Sequence, residues 1–111
     1  MAVEGPVQRQ LDAYNAHDVE AFLACYAEDV VVRHGDGRAL MTGIEQMRAQ
    51  YTEMFELHSD VRAEVANRLQ AGEWVVDEEV VTMKDRELRA LVGYRVEGDL
   101  IRDVVMMTPG D

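Results

Sequence analysis

At Val61 of this 111-residue chain the spacing of apolar residues changes from a period near 3.6, typical of a helix, to a period of 2. From there Val61, Ala63 and Val65 alternate with polar or small residues, which is typical of a strand with one buried face. Three more strands are predicted over 74–83, 88–96 and 100–107. Because the turns between them are short, the second half predicts an antiparallel meander whose apolar face must be covered.

The first half supplies helices for that cover. Val7, Leu11 and Tyr14 recur at i, i+4 and i+7 and predict one helical face, with the helix ending near 15–17. Asp18 is placed to cap a second helix, because its carboxylate can accept from the free backbone N–H groups. We expect Tyr26 on the buried face of that second helix.

A strand pair and a third helix follow. The valines at 30–32 favour a strand that runs to His34, and the glycine-rich turn at 35–37 returns the chain into a short strand over 38–41. Thr42 and Glu45 then form a T-x-x-E capping box that opens a third helix.

The order of these elements predicts an α+β fold in one domain spanning residues 1–111. Three helices in the first half lie on one face of a curved antiparallel sheet. A strongly curved sheet closed off by helices makes a cone, and a cone has an interior. We therefore expect an internal cavity beneath the helices of residues 7–37, with His34 facing into it.

Composition narrows the possible partners. Asp and Glu number 22 against 11 Lys and Arg, so the net charge is −11. Such a surface repels phosphate backbones and anionic lipid, so we expect no nucleic-acid and no membrane partner. The single Cys25 rules out an internal disulfide, and no apolar run approaches the ~18 residues of a membrane span. A cytoplasmic location is expected.

Two stretches resemble a known superfamily. VQRQLDAYNAHDVEAFLACYAEDVVV near the start and GDLIRDVVMM near the end are similar to nuclear transport factor 2-like proteins, particularly their ketosteroid isomerase and SnoaL-like branches. The resemblance implies a cone-shaped α+β barrel, usually homodimeric through the outer face of its sheet. Its members include isomerases, polyketide cyclases, epoxide hydrolases, dehydratases and plain binding proteins.

The resemblance also implies which positions matter. His34 stands where ketosteroid isomerases have a catalytic aspartate, so the base position carries a different base. Gln10 stands where those enzymes have an oxyanion-holding tyrosine, and about Val92 where they have a protonated aspartic acid. With two of the three groups missing, steroid isomerisation by that mechanism is not expected.

His34 and Asp103 are the first two catalytic candidates. An imidazole has a reference pKa of about 6.5, suited to proton transfer near neutrality, although His34 could equally be an exposed turn residue. Alternation puts Asp103 on one face with Ile101 and Val105, and the resemblance implies that this face points inward. In the reversed register Asp103 is an outer-face acid that pairs with Arg95 or Arg102 of a neighbour.

Asp77 is the third catalytic candidate. It shares a face of its strand with Glu79, while Trp74 and Val76 share the other face, and periodicity cannot choose which face is inside. Asp77 could lie inside and pair with His34. The alternative is a charged outer face that meets a partner subunit, and the rarity of unpaired buried acids favours it.

Five aromatic side chains are the candidate ligand-binding residues. An apolar ring with a polar tip suits a cavity that binds a carbonyl or hydroxyl, although core packing is the commoner role of any one ring. The preferred pair is Tyr14 and Tyr94. The full set is Tyr14, Tyr26, Tyr51, Trp74 and Tyr94.

No metal site and no cofactor are predicted. His17, His34 and His58 lack ligand spacing, and no glycine-rich phosphate loop is present. The leading hypothesis is a cofactor-free isomerase, cyclase or hydrolase-like enzyme that moves a proton on a small, mostly apolar ligand. His34 would be the base, Asp103 or Asp77 would orient it, and tyrosines would polarise the substrate. The alternative is a non-catalytic ligand-binding or dimeric interaction module.

Overall fold

The computed structural model describes residues 4–84 and 86–108, and it contains three helices and six strands. Residue 85, in the short turn predicted between the strands at 74–83 and 88–96, lies outside the described residues, as do residues 1–3 and 109–111 of the predicted domain. The helices are α1 (Glu4–Asn15), α2 (Val19–Leu23) and α3 (Ile44–Leu57). The strands are β1 (Tyr26–His34), β2 (Ala39–Thr42), β3 (Arg62–Ala71), β4 (Trp74–Met83), β5 (Arg86–Glu97) and β6 (Leu100–Met107).

The α+β class is confirmed, and the bounds of β4 and β6 are those predicted. Asp18 caps α2 as expected, because its Oδ1 accepts a hydrogen bond of 3.1 Å from the backbone N–H of Ala21. Two local predictions are wrong. Tyr26 begins β1 instead of belonging to α2, because the chain pairs there with Ile101 of β6. The capping box does not form, because Gly43 takes the N-cap position of α3 and has no side chain.

The sheet is mixed and open. Its strand order is β2-β1-β6-β5-β4-β3, and every pairing is antiparallel except that of β1 with β6. Strands β3 to β6 form the predicted meander. The parallel pair departs from the wholly antiparallel sheet expected, because β1 and β6 are distant in the chain and no tight turn dictates their relative direction.

One extra residue in β6 decides which side chains face the helices. Val96 pairs with Ile101, but the next residue of β5, Arg95, pairs with Asp103, so Arg102 is bulged out of the ladder. A bulge reverses the alternation beyond it. Ile101 and Val104 are therefore both buried on the inner side, although they are three residues apart.

The core lies between the helices and the concave face of the sheet. Its most deeply buried members include Val7 of α1, Phe22 of α2, Met47 of α3, Val75 of β4 and Ile101 of β6. The helices thus cover the inner face, as the sequence predicted. In the described part of the chain, no helix has both the length and the apolar character needed to span a membrane.

Candidate functional site

A cavity of about 240 Å³ lies between the helices and the sheet. Apolar side chains from the inner face of β4, β5 and β6 and from α1 and α3 make up most of its lining. This volume lies below the roughly 300–1,000 Å³ of most ligand pockets, so it suits only a small organic molecule. The polar lining residues that matter for chemistry are Gln10, Tyr14, Tyr26, Tyr51, Glu79 and Tyr94.

Aromatic rings are concentrated at this cavity. All four tyrosines of the chain and Phe22 line it. The Phe22 and Tyr51 ring centroids are 4.7 Å apart, and the Tyr14 and Tyr51 rings meet edge to face at 6.4 Å. The structure therefore places the four predicted tyrosines at the cavity, while their role in binding a ligand stays a prediction.

Glu79 is the acidic residue of the lining. It lies on the inner face of β4, and its Oε2 accepts a hydrogen bond of 2.6 Å from the hydroxyl of Tyr94. Gln10 Nε2 donates to the Tyr94 oxygen at 3.3 Å, and the Tyr26 hydroxyl donates to Gln10 Oε1 at 3.0 Å. All three of these bonds donate in the direction of Glu79, so the chain of polar groups holds its carboxylate in place.

Burial sets the protonation of Glu79. Removal from water raises the pKa of its carboxyl above the ordinary value, and the negative charge of Asp77 raises it further. The hydrogen bond from Tyr94 and the positive charge of Arg68 lower the pKa and oppose those effects. A carboxylate with a raised pKa is a stronger base than one in water, which suits proton transfer near neutrality.

The tyrosine hydroxyls of the cavity stay protonated. Burial raises the pKa of Tyr14 to about 12, and it raises the pKa values of Tyr26, Tyr51 and Tyr94 as well. Neutral phenols donate hydrogen bonds. The Tyr14 hydroxyl has only the sulfur of Met54, at 3.9 Å, as its partner among the described residues. It can therefore be offered to a ligand.

Asp77 is inside the fold, but it does not pair with His34. It is wholly buried, and Arg68 of β3 binds both its oxygens, with Nε to Oδ1 at 2.7 Å and Nη2 to Oδ2 at 3.0 Å. The outer-face alternative for this strand is wrong, because a cross-strand arginine compensates the buried acid. Asp77 lies two residues before Glu79 in β4, on the same face of the sheet, and does not line the cavity.

His34 lies at the end of β1 and outside the cavity lining. Its register neighbour is Met106, so it is on the inner side of the sheet. The ring, however, turns to the adjacent loop, where Nδ1 accepts from the backbone N–H of Asp36 at 3.3 Å. The expectation that His34 looks into the cavity is wrong, because this local turn interaction directs the imidazole away.

Asp103 lies on the outer face of the sheet, so its predicted interior position is also wrong. Its two oxygens bind Arg33 at 3.2 Å and Arg95 at 2.6 Å within the same chain. The bulge at Arg102 is the cause, because it puts Val104 inward in place of Asp103.

Trp74 is likewise outside the cavity lining, contrary to its predicted role. It is 38% exposed, and its ring lies over Gly93 of β5, where an added Cβ would meet it at 3.6 Å. Both residues face outward. Among the described residues, no three acidic, histidine or cysteine side chains are grouped to hold a metal ion.

Sequence reasoning missed Glu79 as the acidic residue that lines the cavity. It recognised that Asp77 and Glu79 share a face but could not orient that face. The available signal was Arg68, which lies opposite Asp77 once β3 and β4 are paired through the turn at 72–73. A cation facing Asp77 leaves Glu79 as the acid free to meet a ligand.

A model of the SnoaL-like domain matches residues 7–104. No curated protein matches the chain. An uncharacterised cystatin-fold protein from Novosphingobium aromaticivorans is 24% identical with a TM-score of 0.87, over 96% of this chain and 97% of that one. A proposed polyketide cyclase from Streptomyces antibioticus is 16% identical with a TM-score of 0.81, over 98% and 93%. A protein from Catenulispora acidiphila with a ketosteroid isomerase-like fold, solved in complex with trimethylamine, is 19% identical with a TM-score of 0.76, over 91% and 82%.

Proposed function

Since the chain belongs to the SnoaL-like domain family, we propose that it is a cofactor-free enzyme that moves a proton on a small, mostly apolar ligand. The observation that carries the proposal is the Glu79 carboxylate, which lines an apolar cavity and accepts a hydrogen bond from Tyr94. The proposed base is therefore Glu79 in place of His34.

Each polar group has a distinct task in the proposed reaction. Glu79 removes a proton from a carbon next to a carbonyl group, because its raised pKa brings its basicity closer to that of the substrate. The Tyr14 hydroxyl donates to the carbonyl oxygen and stabilises the enolate that forms. Tyr94 and Gln10 are positioning residues, because they act on the carboxylate and not on the ligand. Return of the proton to another carbon completes an isomerisation, and attack of the enolate carbon on a second carbonyl completes a cyclisation.

The size of the cavity supports a small ligand. A cavity of about 240 Å³ lies below the roughly 300–1,000 Å³ of sites for drug-sized ligands. The solved relatives include a proposed polyketide cyclase and a protein that holds trimethylamine, both of which agree with a small organic ligand.

The base can be tested without knowing the natural substrate. 5-Nitrobenzisoxazole opens when a base removes its carbon-bound proton, because the ring N–O bond then breaks to give a nitrile and a coloured phenolate. We expect the wild-type protein to catalyse this reaction and Glu79→Gln to lose about a hundredfold or more of the catalysed rate. His34→Gln serves as the control and keeps the wild-type rate.

Two results would contradict the assignment. A rate unchanged in Glu79→Gln would remove Glu79 as the base, and a rate lost in His34→Gln would restore the histidine. If the wild-type protein binds the probe and does not open its ring, the non-catalytic ligand-binding module becomes the better description.

We also propose that the protein forms a homodimer through the outer face of its sheet. Large apolar side chains are exposed there, with Leu69 at 70%, Leu91 at 46% and Trp74 at 38%. A monomer rarely leaves such a group uncovered. Sedimentation equilibrium at micromolar concentration should give twice the chain mass, and Leu91→Asp should give the single chain mass. A wild-type monomer would refute this.

The proposed location is the cytoplasm. Cys25 is buried and unpaired, which agrees with a reducing compartment but does not require one. Fractionation of cells that make the tagged protein is the direct measurement, and recovery outside the cytoplasmic fraction would overturn this part of the proposal.

A further inference from the structure

The cavity has one charged side chain, and that charge is negative. No lysine, arginine or histidine is among the described residues that line it. Oε2 of Glu79 is bonded to Tyr94, while Oε1 accepts no hydrogen bond from the described residues. An ionised carboxylate removed from water is costly until a donor or a cation reaches it. The free oxygen thus favours a ligand that brings positive charge.

The rings around Glu79 favour the same kind of ligand. Tyr14, Phe22, Tyr26, Tyr51 and Tyr94 all line the cavity. The face of an aromatic ring carries partial negative charge and attracts cations, most strongly where water is excluded. The remaining lining of valine, leucine and methionine suits alkyl groups. A cavity with aromatic rings, a carboxylate and alkyl-binding walls matches an alkylated ammonium group better than it matches a neutral hydrocarbon.

We propose that the ligand of this cavity is a small organic cation, an alkylated ammonium compound whose nitrogen lies between Glu79 and the tyrosine rings. This inference rests on the proposed function in one respect, namely that the cavity is the ligand site. It adds the substrate class. A positive nitrogen keeps Glu79 ionised as a base, and it stabilises negative charge that develops on a neighbouring carbon during proton removal.

A pair of probes with the same shape tests the charge alone. Choline and 3,3-dimethyl-1-butanol differ in that a carbon atom of the alcohol replaces the charged nitrogen. Titration calorimetry of the full chain at pH 8 should show choline binding about tenfold or more tightly than the alcohol. In Glu79→Gln the preference should fall to the smaller part that the aromatic rings alone supply.

Two further variants serve as controls for the loss of the Glu79 charge. Glu78→Gln is the matched control, because Glu78 directly precedes Glu79 in β4 but faces outward and pairs with Arg89 at 2.7 Å. It should keep the full preference for choline. Glu79→Asp keeps the charge on a shorter arm and should keep part of the preference, which guards against a Glu79→Gln variant that fails to fold.

The outcomes separate this inference from the proposed reaction. Equal or tighter binding of the alcohol by the wild-type protein, a preference for choline as large in Glu79→Gln as in the wild type, or no binding of either probe would each overturn the inference. Ring opening of 5-nitrobenzisoxazole together with no preference for choline would support Glu79 as the base and refute the cationic ligand. A preference for choline without ring opening would support the cationic ligand and refute the role of Glu79 as the base.

Discussion

The hydrogen bond between Tyr94 and Glu79 offers the sharpest test of how the cavity sets its base. Replacing Tyr94 by Phe removes the hydroxyl that lies 2.6 Å from Oε2 and keeps the ring in the cavity wall. Gln10 Nε2 loses one acceptor but keeps its bond to the carbonyl oxygen of Val7 at 3.0 Å. The carboxylate of Glu79 therefore loses its hydrogen bond, while Gln10 keeps a partner for the same nitrogen.

The expected size of the effect follows from the kind of hydrogen bond. A hydrogen bond to a charged group contributes about 1.5–3 kcal/mol, and one pKa unit corresponds to about 1.4 kcal/mol. Losing a bond that favours the ionised form should raise the pKa of Glu79 by about one to two units. Asp77 raises this pKa and Arg68 lowers it in both proteins, so their influence is unchanged.

The assay is the pH dependence of kcat/KM for the opening of 5-nitrobenzisoxazole. The acidic limb of the profile should move to higher pH by about one to two units in Tyr94→Phe. Tyr14→Phe is the matched control, because its hydroxyl also lies at the cavity but contacts the sulfur of Met54. An acidic limb that stays in place in Tyr94→Phe, or that moves equally in both variants, would refute the role given to this bond.

Three other predictions concern stability. Arg68→Met leaves the wholly buried Asp77 without its bidentate partner and should cost about 3–5 kcal/mol of unfolding free energy in urea denaturation. Asp18→Ala removes the cap of α2 and should cost about 1 kcal/mol in the same measurement. Glu79→Gln should be more stable than the wild type at pH 8, by a margin that shrinks toward pH 4. The wild-type protein binds the proton of Glu79 more tightly folded than unfolded, so it loses stability as the pH rises from the ordinary carboxyl range through the raised pKa.

Each stability prediction has its own control. Arg89→Met breaks a pair with Glu78 that is largely exposed and should cost about 0–1 kcal/mol, so an equal loss in both arginine variants would contradict the first prediction. Thr42→Val should cost little, because no capping box forms, and a loss matching that of Asp18→Ala would be evidence against the assigned caps. A stability difference between Glu79→Gln and wild type that does not change with pH would contradict the third.

The sequence predicted the elements of the fold better than the site. Alternation identified β4 and β6 with their observed bounds, because half-buried strands repeat every two residues. The bulge at Arg102 was not predictable from the sequence, because Ile101, Asp103 and Val105 also fit the two-residue period of a regular strand. It moved Asp103 to the outer face.

The errors at His34 and Glu79 have a related cause. The direction of the His34 ring depends on a turn interaction with Asp36 that the residue types alone do not require. The burial of Asp77 depends on Arg68, nine residues earlier, meeting it across the β3–β4 pair. Both facts belong to strand register and local geometry, which apolar spacing does not encode.

The amide of Gln10 has a consequence for where a captured proton can go. The chain of hydrogen bonds from Tyr26 through Gln10 and Tyr94 ends at Glu79, but a neutral amide neither releases nor takes up a proton at ordinary pH. It therefore interrupts any relay from the protein side. A proton taken from the ligand by Glu79, which is partly exposed, therefore passes next to the ligand or to solvent. A substrate labelled with deuterium at the reacting carbon should then carry part of the label to its new position, because no protein group competes for it, and complete loss of the label to water would contradict this.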